Sequence, residues 1–178
     1  MTPTIDAPIR LAHPDDADAL ATLKLATFRE TFVEGFAIPY PPADLATFEA
    51  EAYHPAKVAA ELADAARRTW VAERDGRLIG YAQVGPCKLP HPDARPADGE
   101  LYQLYVTRAA QGTGAGRRLL DRAIGYLEVV RPGPLWVGVW AHNHRAKAIY
   151  TARGFEFMAS YRFLVGDWVD EDQIYRRP

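Results

Sequence analysis

The sequence predicts one α/β (α+β) domain over residues 1–178, and three observations point there. Apolar spacing switches between the 3.6-residue period of helices and the two-residue alternation of strands. Turn chemistry punctuates those segments, most clearly at Asp75-Gly76, a strong hairpin signal. The composition, 48% hydrophobic and 25% charged, is that of a globular chain and excludes disorder and collagen-like repeats. There is no internal repeat and no linker, and the length suffices for a core without staples.

Each element follows in order. Residues 8–11 read as a short strand stopped by His13-Pro14, with Asp15 and Asp16 placed to favour the next helix start. Leu20, Leu23, Phe28 and Phe32 recur at helical intervals, predicting a helix over 17–32 that GFAIPYPP ends. A second helical region spans 44–68, interrupted at His54-Pro55, where proline removes an amide donor. Residues 69–73 and 78–84 flank the Asp-Gly turn as a hairpin, and 85–99, with four prolines, reads as an exposed loop.

A strand follows at 100–106. The helix at 112–130 aligns Leu119, Leu120, Ala123, Leu127 and Val130 on one stripe. Residues 135–140 form a buried strand, and 143–153 a short helix capped by Asn143 and closed by Gly154. Strands at 155–163 and 173–176 complete the chain.

Charge and cysteine content narrow the function. A formal net charge of -2 argues against a general nucleic-acid surface, and one cysteine, Cys87, excludes a disulfide framework and a multi-cysteine zinc site. His142 and His144 lack a third ligand nearby, so no metal is expected. The first twenty residues lack a basic and an apolar leader region, and no apolar run nears the ~18 residues of a membrane span. The cytoplasm is the expected location. Residues 15–64 hold ten acids against three Lys or Arg, whereas 108–131 hold five Arg against two acids. That asymmetry suits a cationic substrate meeting an anionic cofactor, or simply solvated helix faces.

Residues 101–120, LYQLYVTRAAQGTGAGRRLL, are the most informative. A strand leads into glycines that open a helix, so free amides and the helix dipole make an anion site. Arg117 occupies the position where a dinucleotide fingerprint needs its third glycine, and no Lys-Ser or Lys-Thr follows for a P-loop.

The spacing of Gln111, Gly114 and Gly116 after Val106 resembles the Q/R-x-x-G-x-G/A pyrophosphate loop of the GNAT superfamily of N-acetyltransferases, with Arg108 where that family has proline. WVGVWAHNHRAKAIYTARGF resembles the family's second motif, with Asn143, Ala146, Tyr150 and Arg153-Gly154-Phe155. The RETF segment at Thr31, WVGVW and the tail FLVGDWVDEDQIY look like the bacterial spermidine/spermine acetyltransferases of the PaiA type.

The resemblance implies a mixed, mostly antiparallel sheet of about seven strands, splayed at its centre and flanked by helices. It implies acetyl-CoA as co-substrate, held by Leu104, Tyr105, Val106, Gln111, Gly112, Thr113, Gly114, Ala115, Gly116, Arg117, Asn143, Ala146 and Tyr150. A bulge in the strand of Leu104, Tyr105 and Val106 would expose amides to the thioester carbonyl. The acceptor would be a primary amine, such as a polyamine; an amino acid, peptide N-terminus or antibiotic, or a non-catalytic acyl-CoA-binding module, are the alternatives. Tyr150 is the expected acid for the leaving thiolate, and Glu100 the expected base, with Tyr81, Gln83, Tyr102 and Gln103 as lining groups. A homodimer through the C-terminal strand is the assembly the sequence allows.

Overall fold

The computed structural model describes residues 7–178; of the first twenty residues, expected to lack a leader region, residues 1–6 lie outside them. Seven strands form one mixed sheet in the order β1-β2-β3-β4-β5-β7-β6. They are β1 Ile9–Leu11, β2 Arg68–Arg74, β3 Arg77–Pro86, β4 Gly99–Val106, β5 Leu135–Trp140, β6 Glu156–Val165 and β7 Trp168–Arg177. Every neighbouring pair is antiparallel except β4 and β5. The β2–β3 hairpin turns at Asp75 (φ 52°) and Gly76 (φ 71°), as an Asp-Gly turn with two left-handed residues should.

The helices are α1 Ala17–Phe28, α2 Pro42–Ala52, α3 Pro55–Ala63, α4 Ala115–Val130 and α5 His144–Thr151. One face of the sheet packs on α4 through Leu119, Leu120, Ala123 and Leu127 against Ala82, Val84, Leu101, Leu135 and Val137. The other meets α1 and α3, where Leu20, Leu23 and Val58 bury Val71 and Tyr81. Lys24 of α1, almost fully buried, pairs with Glu61 of α3 at 2.6 Å, and Gln83 of β3 donates to the same carboxylate at 3.3 Å. That polar bridge ties both helices to the sheet.

Several boundaries differ from the sequence expectation for physical reasons. The first α-helix stops at Phe28 and continues as a π-helical stretch, Arg29–Gly35, so Phe32 leaves the regular stripe and joins an aromatic cluster with Phe28, Phe36 and Trp140. The region expected to be helical over 44–68 is two helices, each opened by a proline at its first position, where a missing amide costs nothing. Arg68 already belongs to β2. The stripe on α4 includes Ile124, while Val130 is exposed at the helix end. The last strand is far longer than 173–176. Its first half, with Asp170, Glu171 and Asp172, lacks an apolar alternation, and register with β6 makes it a strand.

Candidate active site

The centre of the sheet is open. β4 and β5 pair in parallel at only three positions, Gly99 with Leu135, Glu100 with Trp136 and Leu101 with Val137. Immediately afterwards β4 carries an extra residue: Val84 faces Leu101 and Gln83 faces Gln103, leaving Tyr102 as the bulge. A bulge bends its strand and increases the twist, and here the two strands part just beyond it. Leu104, Tyr105 and Val106 remain paired with Ala82, Tyr81 and Gly80 on the β3 side. Their other edge, toward β5, carries no ladder partner among the described residues. The bulge thus sits two residues before the segment expected to hold it.

At the end of β4 the chain turns through Arg108–Ala110 into the glycine segment. Gly112 and Gly114 adopt φ of 78° and 88°, and a Cβ on either would meet nothing within 4 Å among the described residues, so these leave the backbone bare on that side. The helix begins later than 112. The Arg118 amide bonds the Gly114 carbonyl at 3.1 Å, which leaves the amides of Ala115, Gly116 and Arg117 without intrahelical partners at the positive end of a sixteen-residue helix. Gln111 stays outside it and accepts from Arg145 of α5 at 3.0 Å. Thr113 is turned inward, its hydroxyl donating to the Ala110 carbonyl. The Asn143 side chain accepts from the Ala146 amide at 3.0 Å, which caps α5 and orients Tyr150 two turns on.

A cavity of about 450 Å³ fills the splay and reaches between α1, α2 and the β6–β7 hairpin. Glu100, Leu104, Tyr105, Asn143, Ala146 and Tyr150 all line it, as do Tyr102, Gln103 and Gln83. Val106 and residues 111–117 lie outside that cavity, and Tyr81 is fully buried beneath it. Tyr150 is buried against Phe155, and that burial pushes its phenol up to about 12. Glu100 is only 4% exposed rather than a solvated strand-end carboxylate. Burial raises its carboxyl to about 7, opposed by the Lys88 amide at 2.7 Å and the Lys88 charge.

Sequence reasoning missed the opposite wall. Asp170 is buried, accepting from Tyr40 at 2.7 Å and Trp168 at 2.9 Å. Asp172, two residues on and therefore on the same strand face, accepts from Tyr161 at 3.3 Å. Burial lifts Asp172 to about 6, with Asp170 adding to the rise. No cation pairs with either carboxylate among the described residues, whereas Glu61 in the same cavity is neutralised by Lys24. Trp140, Phe163 and Tyr40 complete this end. The i, i+2 spacing of Asp170 and Asp172 puts both on one face only once the stretch is a strand, which its own acidic pattern does not announce.

Cys87 and Trp136 are buried structural groups: the indole donates to Asp98 at 2.8 Å, and the thiol is pushed up to about 12 by burial. His142 and His144 are exposed, and His142 packs on Trp140. Among the described residues no helix is long and apolar enough to cross a membrane.

Residues 25–155 match the Acetyltransferase (GNAT) family. The chain belongs to that family. It is an N-acetyltransferase, similar along most of its length to uncharacterized N-acetyltransferases. One from Mycobacterium tuberculosis is 30% identical over 162 residues, covering 91% of this chain and 97% of the relative. Another, from Lactobacillus delbrueckii subsp. lactis, is 28% identical over 153 residues, 86% and 88% of the two chains. The fold also matches the PaiA N-acetyltransferase of Thermoplasma acidophilum, solved in complex with coenzyme A, at a TM-score of 0.76 and 18% identity over 97% of this chain and 99% of that one. The mixed, splayed sheet of this acetyltransferase is therefore the one the sequence resemblance implied.

Proposed function

We propose that this acetyltransferase moves an acetyl group from acetyl-CoA directly to a primary amine bound in the splay, with Glu100 as base and Tyr150 as acid. The observation that carries the reading is the buried Glu100 carboxyl, at about 7, in the same cavity as Tyr150 and the unpaired edge of β4. The residues present fit the co-substrate. Bare left-handed glycines and three free helix amides suit a diphosphate, and the open strand edge suits an amide-bearing chain laid beside it. When bound, acetyl-CoA supplies the acyl group and the thiolate leaving group.

The chain's own groups do the proton work. An aliphatic amine with a pKa near ~10.4 is neutral in only about one molecule in a thousand at pH 7.4, roughly 4 kcal/mol from its reactive form. Glu100 takes that proton, directly or through one water, and an acid near 7 is matched to work at neutral pH. The amides on the β5 side of residues 104–106 stabilise the thioester oxygen as it gains charge. Tyr150, held neutral by burial, gives its proton to the departing sulfur.

Asp170 and Asp172 hold hydrogen-bond donors but no cation among the described residues. They favour a cationic acceptor, since a buried carboxylate without a counter-charge is costly and an ammonium ion reduces that cost. Spermidine and spermine are the first acceptors to test, and an amino acid or peptide N-terminus presents the same ammonium. The action is expected in the cytoplasm. Acetyl-CoA titration with a thiol-release assay across amines tests the reading: release with cationic amines supports it, and binding without release from any amine leaves only an acyl-CoA-binding module. Asp172→Asn should raise KM for a cationic acceptor about 10-fold or more, as expected for one lost charged contact of ~1.5–3 kcal/mol, while coenzyme affinity holds. An unchanged KM removes Asp172 from acceptor binding.

Tyr150→Phe should keep coenzyme binding and lower single-turnover rates roughly 10–10³-fold, toward the lower part of the general-acid range because a thiolate leaves fairly well unaided. With the phenol lifted to about 12, its alkaline limb lies beyond ordinary assay pH rather than near 10. A near-normal rate in the folded variant would reduce Tyr150 to packing.

A further inference from the structure

The 85–99 segment has no role in coenzyme or acceptor chemistry so far, yet its first residues surround Glu100. The Lys88 amide donates to Glu100 Oε2 at 2.7 Å. The Lys88 ammonium lies 4.2 Å from the centre of the Tyr102 ring, within cation–π range. Tyr102 is the bulged residue of β4, and its hydroxyl donates to the Pro86 carbonyl at 2.6 Å. Gly85 makes room for this: a Cβ there would sit 2.6 Å from the Tyr102 hydroxyl. The Cys87 amide bonds the Asp98 carbonyl at 3.0 Å, closing the segment at its base. The bulged residue therefore also seats the ammonium of the residue whose amide holds the base.

We propose that Lys88 is a positioning residue for Glu100: its amide fixes the carboxylate, and its ammonium, seated on Tyr102, favours the ionised form. The inference rests on Glu100 acting as the base. The other titratable groups facing Glu100 are Cys87 from the same segment, Tyr102 from β4 and Tyr161 from β6. Burial raises all three, Cys87 and Tyr102 to about 12, so they stay neutral near pH 7. Arg67 reaches the same Tyr102 ring at 5.3 Å but is engaged by Asp64 and Glu61. Lys88 makes no ion pair among the described residues, Glu100 included, so its charge acts on Glu100 through space and no other carboxylate takes it up. An opposite charge favours an ionised carboxylate, so removing it should move the Glu100 titration upward.

The test is the pH profile of kcat/KM for wild type, Lys88→Gln, Lys88→Arg and Glu100→Gln, with the Glu100 carboxyl carbon titrated by NMR in each Lys88 variant. Glutamine keeps the amide and loses the charge. Its acid limb and its carboxyl titration should both move upward by about half a pH unit or more, and arginine should bring both back. If both stay in place in Lys88→Gln while Glu100→Gln abolishes the limb, Lys88 has no such role and Glu100 stands as the base. If the limb survives Glu100→Gln, Glu100 is not the base and the proposal for Lys88 falls with it. The NMR titration reads the electrostatic effect without turnover, so inactivity of a variant does not shield the proposal.

Discussion

Glu100→Gln should lower kcat/KM for the amine by about 10²–10⁴-fold, the range general base catalysis contributes, and should erase the acid limb near pH 7. The wild-type rate rises with pH as the carboxyl loses its proton at about 7, so the gap between the two enzymes is widest above that value and narrows below it. Glutamine can still accept from the Lys88 amide, so the segment stays in place. Stability should not suffer. A carboxyl raised on folding binds its proton more tightly in the native state, so it costs stability progressively as pH rises through about 7. The neutral amide avoids that cost, and melting at pH 8 should show Glu100→Gln at least as stable as wild type. A rate within twofold of wild type across the pH range would assign proton removal to another group.

Gly114→Glu should weaken acetyl-CoA binding on the order of 10²–10³-fold. A carboxylate placed against a diphosphate costs several kcal/mol, and each ~1.4 kcal/mol is tenfold in affinity. Gly114 adopts φ of 88°, and a Cβ there meets nothing within 4 Å among the described residues, so the side chain has room and would project into the volume the glycines leave bare. The left-handed backbone adds a separate strain of about 1–2 kcal/mol. Gly114→Ala carries that strain without the charge, so comparing the two by calorimetry and melting separates them. Unchanged coenzyme affinity in folded Gly114→Glu would take the glycine turn out of the site.

The two sides of the site were unequally legible in sequence. The coenzyme side is local: Gln111, Gly112, Gly114 and Gly116 lie in six consecutive residues, and Asn143, Ala146 and Tyr150 share one helix start. Short-range spacing is enough to propose such a site, and the structure sets both segments side by side through Arg145 and Gln111. The acceptor side is assembled from distant parts. Tyr40 and Asp170 are 130 positions apart, and Lys24 and Glu61 are 37 apart. The Asp170 and Asp172 stretch is too acidic to read as a strand, because its pairing with β6 supplies what its own pattern lacks. The bulge at Tyr102 leaves no mark in ELYQLYV either; it is set by register with β3.

The most direct test is a crystal structure of this acetyltransferase with acetyl-CoA and an unreactive amine analogue. The diphosphate should lie on the amides of Ala115, Gly116 and Arg117 and the thioester beside Leu104, Tyr105 and Val106. The sulfur should lie within hydrogen-bond reach of the Tyr150 hydroxyl, and the amine between Glu100 and Asp172. A coenzyme bound away from the β4–β5 splay, or an amine seated beyond one water's reach of Glu100, would contradict it.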